Sequence, residues 1–507
     1  MKTTLALHAF GVCAAIATTT VAAPASASPT GPMARAGASH PSIVVKFRAQ
    51  KNAGELAGVS RDIASVGASP QGTHLDPLFP ATRSAPAPAR PGHQRLFPPS
   101  RPRGQANEGQ GLDRYYRLPL PVEKRGDTSH INALLSRLAA RDDVETAYAD
   151  VEPAGLEQHA KPDATGPAAS TPPSGEPPAV VTPPDLAYMQ FYLYGPDETK
   201  DGYKLGGLNV QYAHRFPGAR GEGITLVSKE VGGWYADHAD LPAPVRRFGD
   251  FVASGPGTRS AGIMAAIENG YGVTGIANRA SLAYAAAGIG NLAELRDYLK
   301  PGDVLQIGMQ VDLGPVAGCR SSCFVPMEAL PAWYDAIKEL TDRGIVVVEA
   351  AGNGNVDLDH PDFDGRFDRK RRDSGAVMVG SICARNAVRA PFSNHGTRVD
   401  AAGWGCWDAA TTTSGAEDAD LWSEFDNWYT SGVASPASAN PIVAAAAASL
   451  SGYARVKGAT LGSTDVRVLL NATGTPLDGA ATRIGTQPDL KKAFAEVDDC
   501  LSARVPE

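Results

Sequence analysis

Acyl transfer by a hydroxyl nucleophile needs three side chains. A hydroxyl attacks, an imidazole takes its proton and later returns it, and a carboxylate orients the imidazole. Backbone or amide N–H groups must also face the developing oxyanion. The residue types are all present in the second half of the chain. His214, His238, His360 and His395 supply imidazoles, and Ser435 and Ser438 precede an alanine-rich run. Asn353 stands between Gly352 and Gly354, where a turn would present its amide. Metal chemistry is poorly served. The acidic run Asp357, Asp359, Asp362 and Asp364 lacks the spacing of a 12-residue calcium loop ending in Glu. With Arg366, Arg369, Lys370, Arg371 and Arg372 following, it reads as a self-paired charged loop. Cys319 and Cys323 have no second Cys or His pair at zinc-finger spacing, so they read as a small disulfide loop. No metal or cofactor is expected.

The elements that must position these residues follow from periodicity. The 507 residues imply more than one unit. The net charge of −7 leaves no basic footprint for nucleic acid. Lys2, the small and apolar stretch from Leu5 to about Ala23, and Ala25-Ser26-Ala27 read as an export signal over residues 1–27, with the mature chain starting near Ser28. Secretion is therefore expected, with no membrane span after signal removal. Five cysteines would then remain, an odd number, which leaves at least one unpaired within the chain.

Residues 28–158 read as a small α+β unit. Its strands are Ser42–Phe47, Tyr115–Leu120 and Val144–Ala149, and its helix runs from Ile131 to Leu138. A Pro-, Arg- and Gly-rich insertion over about 68–111 reads as disordered, and residues 159–190 as a Pro-rich linker. From 191 to 497 strands and helices alternate, which implies an α/β fold in three layers with a central parallel sheet. Residues 498–507 read as a tail.

Several motifs occur along this last unit in one order. They are Gly221-Glu222-Gly223-Ile224-Thr225-Leu226-Val227, then Trp234 to Leu241 ending His-Ala-Asp-Leu, then Gly257-Thr258-Arg259-Ser260-Ala261-Gly262. Gly272-Val273-Thr274-Gly275, Glu349 to Asn355, Pro441-Ile442-Val443-Ala444 and Gln487-Pro488-Asp489-Leu490 follow. The ordered set resembles the subtilisin-like serine peptidases (subtilases). The resemblance covers about 300 residues and implies a subtilisin-like fold. It also makes the unit over 28–158 resemble a subtilase propeptide, which caps the active-site cleft.

The resemblance implies where a triad would stand, and this chain departs from it at each place. Counting back from Trp234, the Asp position falls on Lys229; Glu230 is next to it and faces the other way in a strand. The residue before the Gly-Thr pair, His in the family, is Pro256, which suits a first helical turn but cannot carry protons. A gapless spacing between Tyr429-Thr430 and Pro441 puts the nucleophile on Ala437. A rival alignment through Ala434-Ser435-Pro436 puts it on Gly432. Neither supplies a serine. Asn353 keeps the oxyanion-type position. His395 lies in a His-Gly-Thr string that comes too late in the family order, and His238 reads as a packing residue. Three readings follow: a secreted homologue, catalytically inactive, that binds an extended peptide or protein ligand in its cleft or regulates; an active serine endopeptidase with a rearranged triad; and a structural or degenerating protein without selected activity.

Overall fold

The computed structural model describes residues 34, 37–64, 74–80, 94–96, 110–156, 182–200, 203–204, 206–383, 387–406, 409–413, 415, 419–424, 427–431, 436–477 and 483–503. In the N-terminal unit, β1 (Ser42–Phe47) lies between β4 (Tyr115–Pro119) and β5 (Val144–Ala149), antiparallel to both. Their apolar face packs against α1 (Ala53–Ala64) and α2 (Thr128–Ala139), burying Val59, Ile63, Ile131, Leu134, Leu135 and Leu138. The sequence reading passed over α1 because its periodicity is weak: of its 12 residues only Val59 and Ile63 are buried.

The insertion expected to be disordered is partly structured. Within it, β2 (Asp76–Pro77) pairs with β4, and β3 (Gln94–Arg95) pairs with β17 (Ala459–Thr460) far along the chain. The expected linker also ends earlier than 190. Leu186 N–H donates to Gly272 O at 2.7 Å, and Gln190 is fully buried against Thr274. Residues 157–181 lie outside the described residues. The expected tail begins inside α7 (Leu490–Ser502), whose Val497 and Cys500 are buried.

The second unit is built on an eight-stranded sheet of order β8-β9-β7-β10-β13-β14, with β15 and β16 both on β14. These are β7 (Thr225–Lys229), β8 (Arg247–Phe248), β9 (Ser281–Ala285), β10 (Val304–Ile307), β13 (Val346–Ala350), β14 (Val377–Cys383), β15 (Val388–Arg389) and β16 (Ala401–Cys406). Every pairing is parallel except β14 with β15. Short aliphatic runs such as Val346-Val347-Val348, buried on both faces, are what a covered parallel sheet requires. On one face lie α3 (Gly255–Ala265) and α6 (Pro436–Val456), on the other α4 (Asn291–Tyr298) and α5 (Pro331–Asp342). The run Ala444–Ala448 in α6 has no exposure, and its small side chains let the helix lie through the middle of the fold.

Residues 304–312 form two strands. After β10 the chain turns at Gly308 and Met309–Asp312 forms β11 of a separate three-stranded sheet, between β12 (Phe324–Pro326) and β6 (Ala154–Gly155). Cys319 pairs with Cys323, and Cys383 with Cys406. No described cysteine is free. No described helix is long and apolar enough to cross a membrane.

Candidate peptide cleft

The strand ends decide what faces what. Lys229 and Glu230 are adjacent, so their side chains leave opposite faces of the sheet. Lys229 goes to the α4–α5 face. Its ammonium donates to Ala286 O at 2.6 Å, Gly288 O at 2.9 Å and Asn291 Oδ1 at 2.5 Å, and lies 5.3 Å from the Trp333 ring centroid. Burial pulls the group well below the ordinary lysine range, while three acceptors use all three of its protons.

Glu230 goes to the α3–α6 face. Its Oε1 accepts from Ser260 Oγ at 3.1 Å and from Gln306 Nε2 at 2.8 Å. Gln306 Nε2 also donates to Asn440 Oδ1 at 2.7 Å. The carboxylate is thereby tied to α3, one turn past Pro256, and to α6, three residues past Ala437. Gly308 leaves it room, because a Cβ there would stand 2.0 Å from Glu230 Oε1. The assignment of Lys229 to the carboxylate position is corrected: the residue facing the two helix starts is Glu230. The count back from Trp234 runs one residue too far, since β7 ends at Lys229 and the next residue carries the functional direction.

Pro256 sits in the first turn of α3, capped by Ser254, whose Oγ accepts from Gly257 N–H at 3.1 Å. Gly257 is required there: a Cβ would meet Gly233 O at 2.3 Å and Gly232 O at 2.4 Å. Ala437 is the second residue of α6, and α3 packs on α6. The helix starts that carry Pro256 and Ala437 are thus brought together over one carboxylate, with Lys229 turned away. Gly432 and Ser435 lie outside the described residues.

His238 is committed elsewhere. His238 Nε2 pairs with Trp428 O at 3.1 Å and its Nδ1 with Asp240 N–H at 3.2 Å. Burial holds that ring down to about 4. His395 is bridged to Asp357 through its backbone only, and its ring Nδ1 is buried without a hydrogen-bond partner. Among the described residues no serine hydroxyl bonds to either ring. The acidic loop is paired mainly from outside itself rather than by the basic run that follows it: Arg483 binds Asp357 and Asp359, Thr397 Oγ1 donates to Asp359 at 2.7 Å, and within the loop Arg371 reaches Asp364. Among the described residues no group of three or more His, Cys, Asp or Glu is gathered as a metal would need.

Asn353 follows β13 in a loop that needs glycine, since Gly352 has φ of 91°. Its backbone N–H donates to Gln310 Oε1 at 3.0 Å, and its Nδ2 donates to Leu156 O at 2.7 Å. Leu156 closes the segment Ala154-Gly155-Leu156 from the N-terminal unit. Gly155 pairs with Met309 and Ala154 with Gln310 in an antiparallel ladder, and Gln310 Nε2 donates to Gly155 O at 3.0 Å. Leu156 is 2% exposed and packs on Ala350. An extended peptide thus lies in a groove walled by β11, with two carbonyls on side-chain amide donors and one aliphatic side chain buried. The sequence reading placed Asn353 but not its partner, because nothing local to Leu156 marks it as a ligand.

The N-terminal unit is fastened to the α5 side. Asp335 takes Lys46 Nζ at 2.8 Å and Tyr115 Oη at 2.7 Å, and Ala332 N–H donates to Tyr148 Oη at 3.4 Å.

No protein-family model and no curated protein sequence matches the chain. Solved structures do. Fervidolysin from Fervidobacterium pennivorans, described as a keratinolytic enzyme related to subtilisin, is 14% identical with a TM-score of 0.51; the match covers 92% of this chain and 62% of that one. Proteases from Pseudoalteromonas arctica are 20% identical over 62% of this chain and 100% of theirs, with a TM-score of 0.44. A cold-adapted subtilisin-like serine proteinase is 18% identical over 60% of this chain and 98% of its own, with a TM-score of 0.41. The fervidolysin match shows that the fold is subtilisin-like.

Proposed function

We propose that the chain is a secreted, peptide-binding homologue of the subtilisin-like serine endopeptidases that does not run their acyl-enzyme reaction. The observation that carries this is the joint state of one cleft. Asn353 Nδ2 holds a peptide carbonyl at 2.7 Å, while Pro256 stands in the first turn of α3 and Ala437 in the first turn of α6. A ring-closed imino residue transfers no proton and a methyl group attacks no carbonyl. Glu230 survives as a carboxylate, but a carboxylate in this fold acts by orienting an imidazole. What remains is strand addition and two amide donors, Asn353 and Gln310, which is sufficient for binding.

The occupant is the chain's own Ala154–Leu156, so an external peptide must displace it. Secretion rests on the leader-like residues 1–27 and accords with the two described disulfides. The test is expression alone in a protease-deficient host, followed by N-terminal sequencing and intact mass. The expected product keeps the N-terminal unit covalently attached. A clean, concentration-independent new N-terminus within residues 157–181, with no protease added, would show self-processing and defeat the proposal.

A further inference from the structure

The insertion of the N-terminal unit touches the second unit at two separated places. Leu78 and Phe79, just past β2, are buried in the second unit's apolar cluster. Leu78 O lies 3.3 Å from where a Cβ on Gly290 would stand, at the start of α4. Then Gln94–Arg95 runs parallel to Ala459–Thr460, pairing Gln94 with Ala459 and Arg95 with Thr460, and Leu96 N–H donates to Thr460 O at 3.4 Å. Leu96 has no exposure and belongs to the same cluster.

The two ends of the sheet are thereby held at once. Thr460 Cγ2 lies 3.3 Å from where a Cβ on Gly302 would stand, and Gly302 comes just before β10 starts at Val304. β17 is therefore at the amino end of the strands. The cleft, built from Glu230, Gly308 and Asn353, follows the carboxyl ends of β7, β10 and β13.

We infer that the β17 edge is a second binding site for an extended peptide, separate from the cleft and filled in cis by the chain's own Gln94–Leu96. It reads backbone by strand addition and selects one aliphatic side chain, at the place of Leu96. With Ala154–Leu156 in the cleft and Gln94–Leu96 at the far end, the N-terminal unit is clamped across the sheet. It stays bound when the chain is cut anywhere in 157–181.

The test places a site-specific protease sequence within 165–175 of the full chain. Cut wild-type protein is expected to elute as one complex. Leu96→Asp is expected to raise the dissociation rate of the cut pieces about 10- to 100-fold, the factor that follows from losing one buried aliphatic side chain. Leu96→Ala gives the same direction should the Asp variant misfold. A labelled peptide of residues 90–100 is expected to bind the Leu96→Asp chain, not to bind wild type, and to lose binding when its own Leu96 is Asp. Pieces that separate freely in wild type would overturn the inference. So would an unchanged dissociation rate in both variants, or equal binding of the peptide to wild type. Neither readout uses Leu156 or Asn353, so failure of the cleft proposal leaves this test intact.

Discussion

Replacing Leu156 by Asp opens the cleft to outside peptides by a calculable amount. In the parent chain the segment Ala154–Leu156 competes in cis with any ligand, so apparent affinity is the intrinsic affinity scaled by the fraction of open clefts. Leu156 is 2% exposed, and its fully buried side chain contributes about 1.5–3 kcal/mol to the closed state. Putting a carboxylate against Ala350 removes that term. The open fraction, and with it the apparent affinity for a labelled acetyl-Ala-Gly-Leu-amide peptide, rises about 10- to 100-fold. Fluorescence anisotropy of the peptide reads this directly. In the Leu156→Asp background, Asn353→Leu removes the amide donor to the carbonyl, an interaction of about 0.5–1.5 kcal/mol net. Affinity then falls by about 2- to 10-fold. Equal affinity in parent and Leu156→Asp chains, or binding indifferent to Asn353, would refute the reasoning.

Three further outcomes follow from the geometry. Lys229→Met removes the donor from Gly288 O and Asn291 Oδ1 while relieving a buried cation; a net cost of about 2 kcal/mol is expected, lowering Tm by about 4–8 °C in thermal unfolding, and an equal or higher Tm would contradict the bonded-ammonium account. His238 and Asp240 oppose each other in pH dependence. Burial holds His238 down to about 4, so its contribution is lost as pH falls from about 6.5 toward 4; burial lifts Asp240 to about 6, so its contribution is gained over nearly the same descent. Tm against pH is therefore expected to fall more steeply toward acid in Asp240→Asn and to flatten or reverse in His238→Gln, by about 1.4 kcal/mol per pH unit, and parallel curves for all three proteins would contradict it. Because Glu230 already faces α3 and α6, Pro256→His with Ala437→Ser is expected to create a fluorophosphonate-reactive serine, and either change alone is not, since the members of a triad act as a unit.

The layered α/β fold was legible because buried parallel strands leave unmistakable aliphatic runs, as at Ile345–Val348, and because turn motifs fix their order. Boundaries were less so. The carboxylate position falls one residue past the end of β7, and with period-two alternation one residue exchanges the two faces of the sheet, which is how Lys229 stood where Glu230 belongs. The insertion read as disordered from its Pro and Arg content, yet Leu78, Phe79 and Leu96 are scattered apolar residues that join a core drawn mostly from the second unit, Leu96 on a partner as distant as Thr460. Leu156 escaped for the same reason. A three-residue segment has no periodicity, and only the tertiary structure puts it on β11 beside Asn353.

The central claim is that this cleft binds peptide without a reactive serine. The most direct measurement is intact mass of the purified chain after exposure to excess fluorophosphonate. The account predicts an unchanged mass. A stoichiometric adduct that maps to one serine, such as Ser438, and disappears in the corresponding Ser→Ala variant would contradict it.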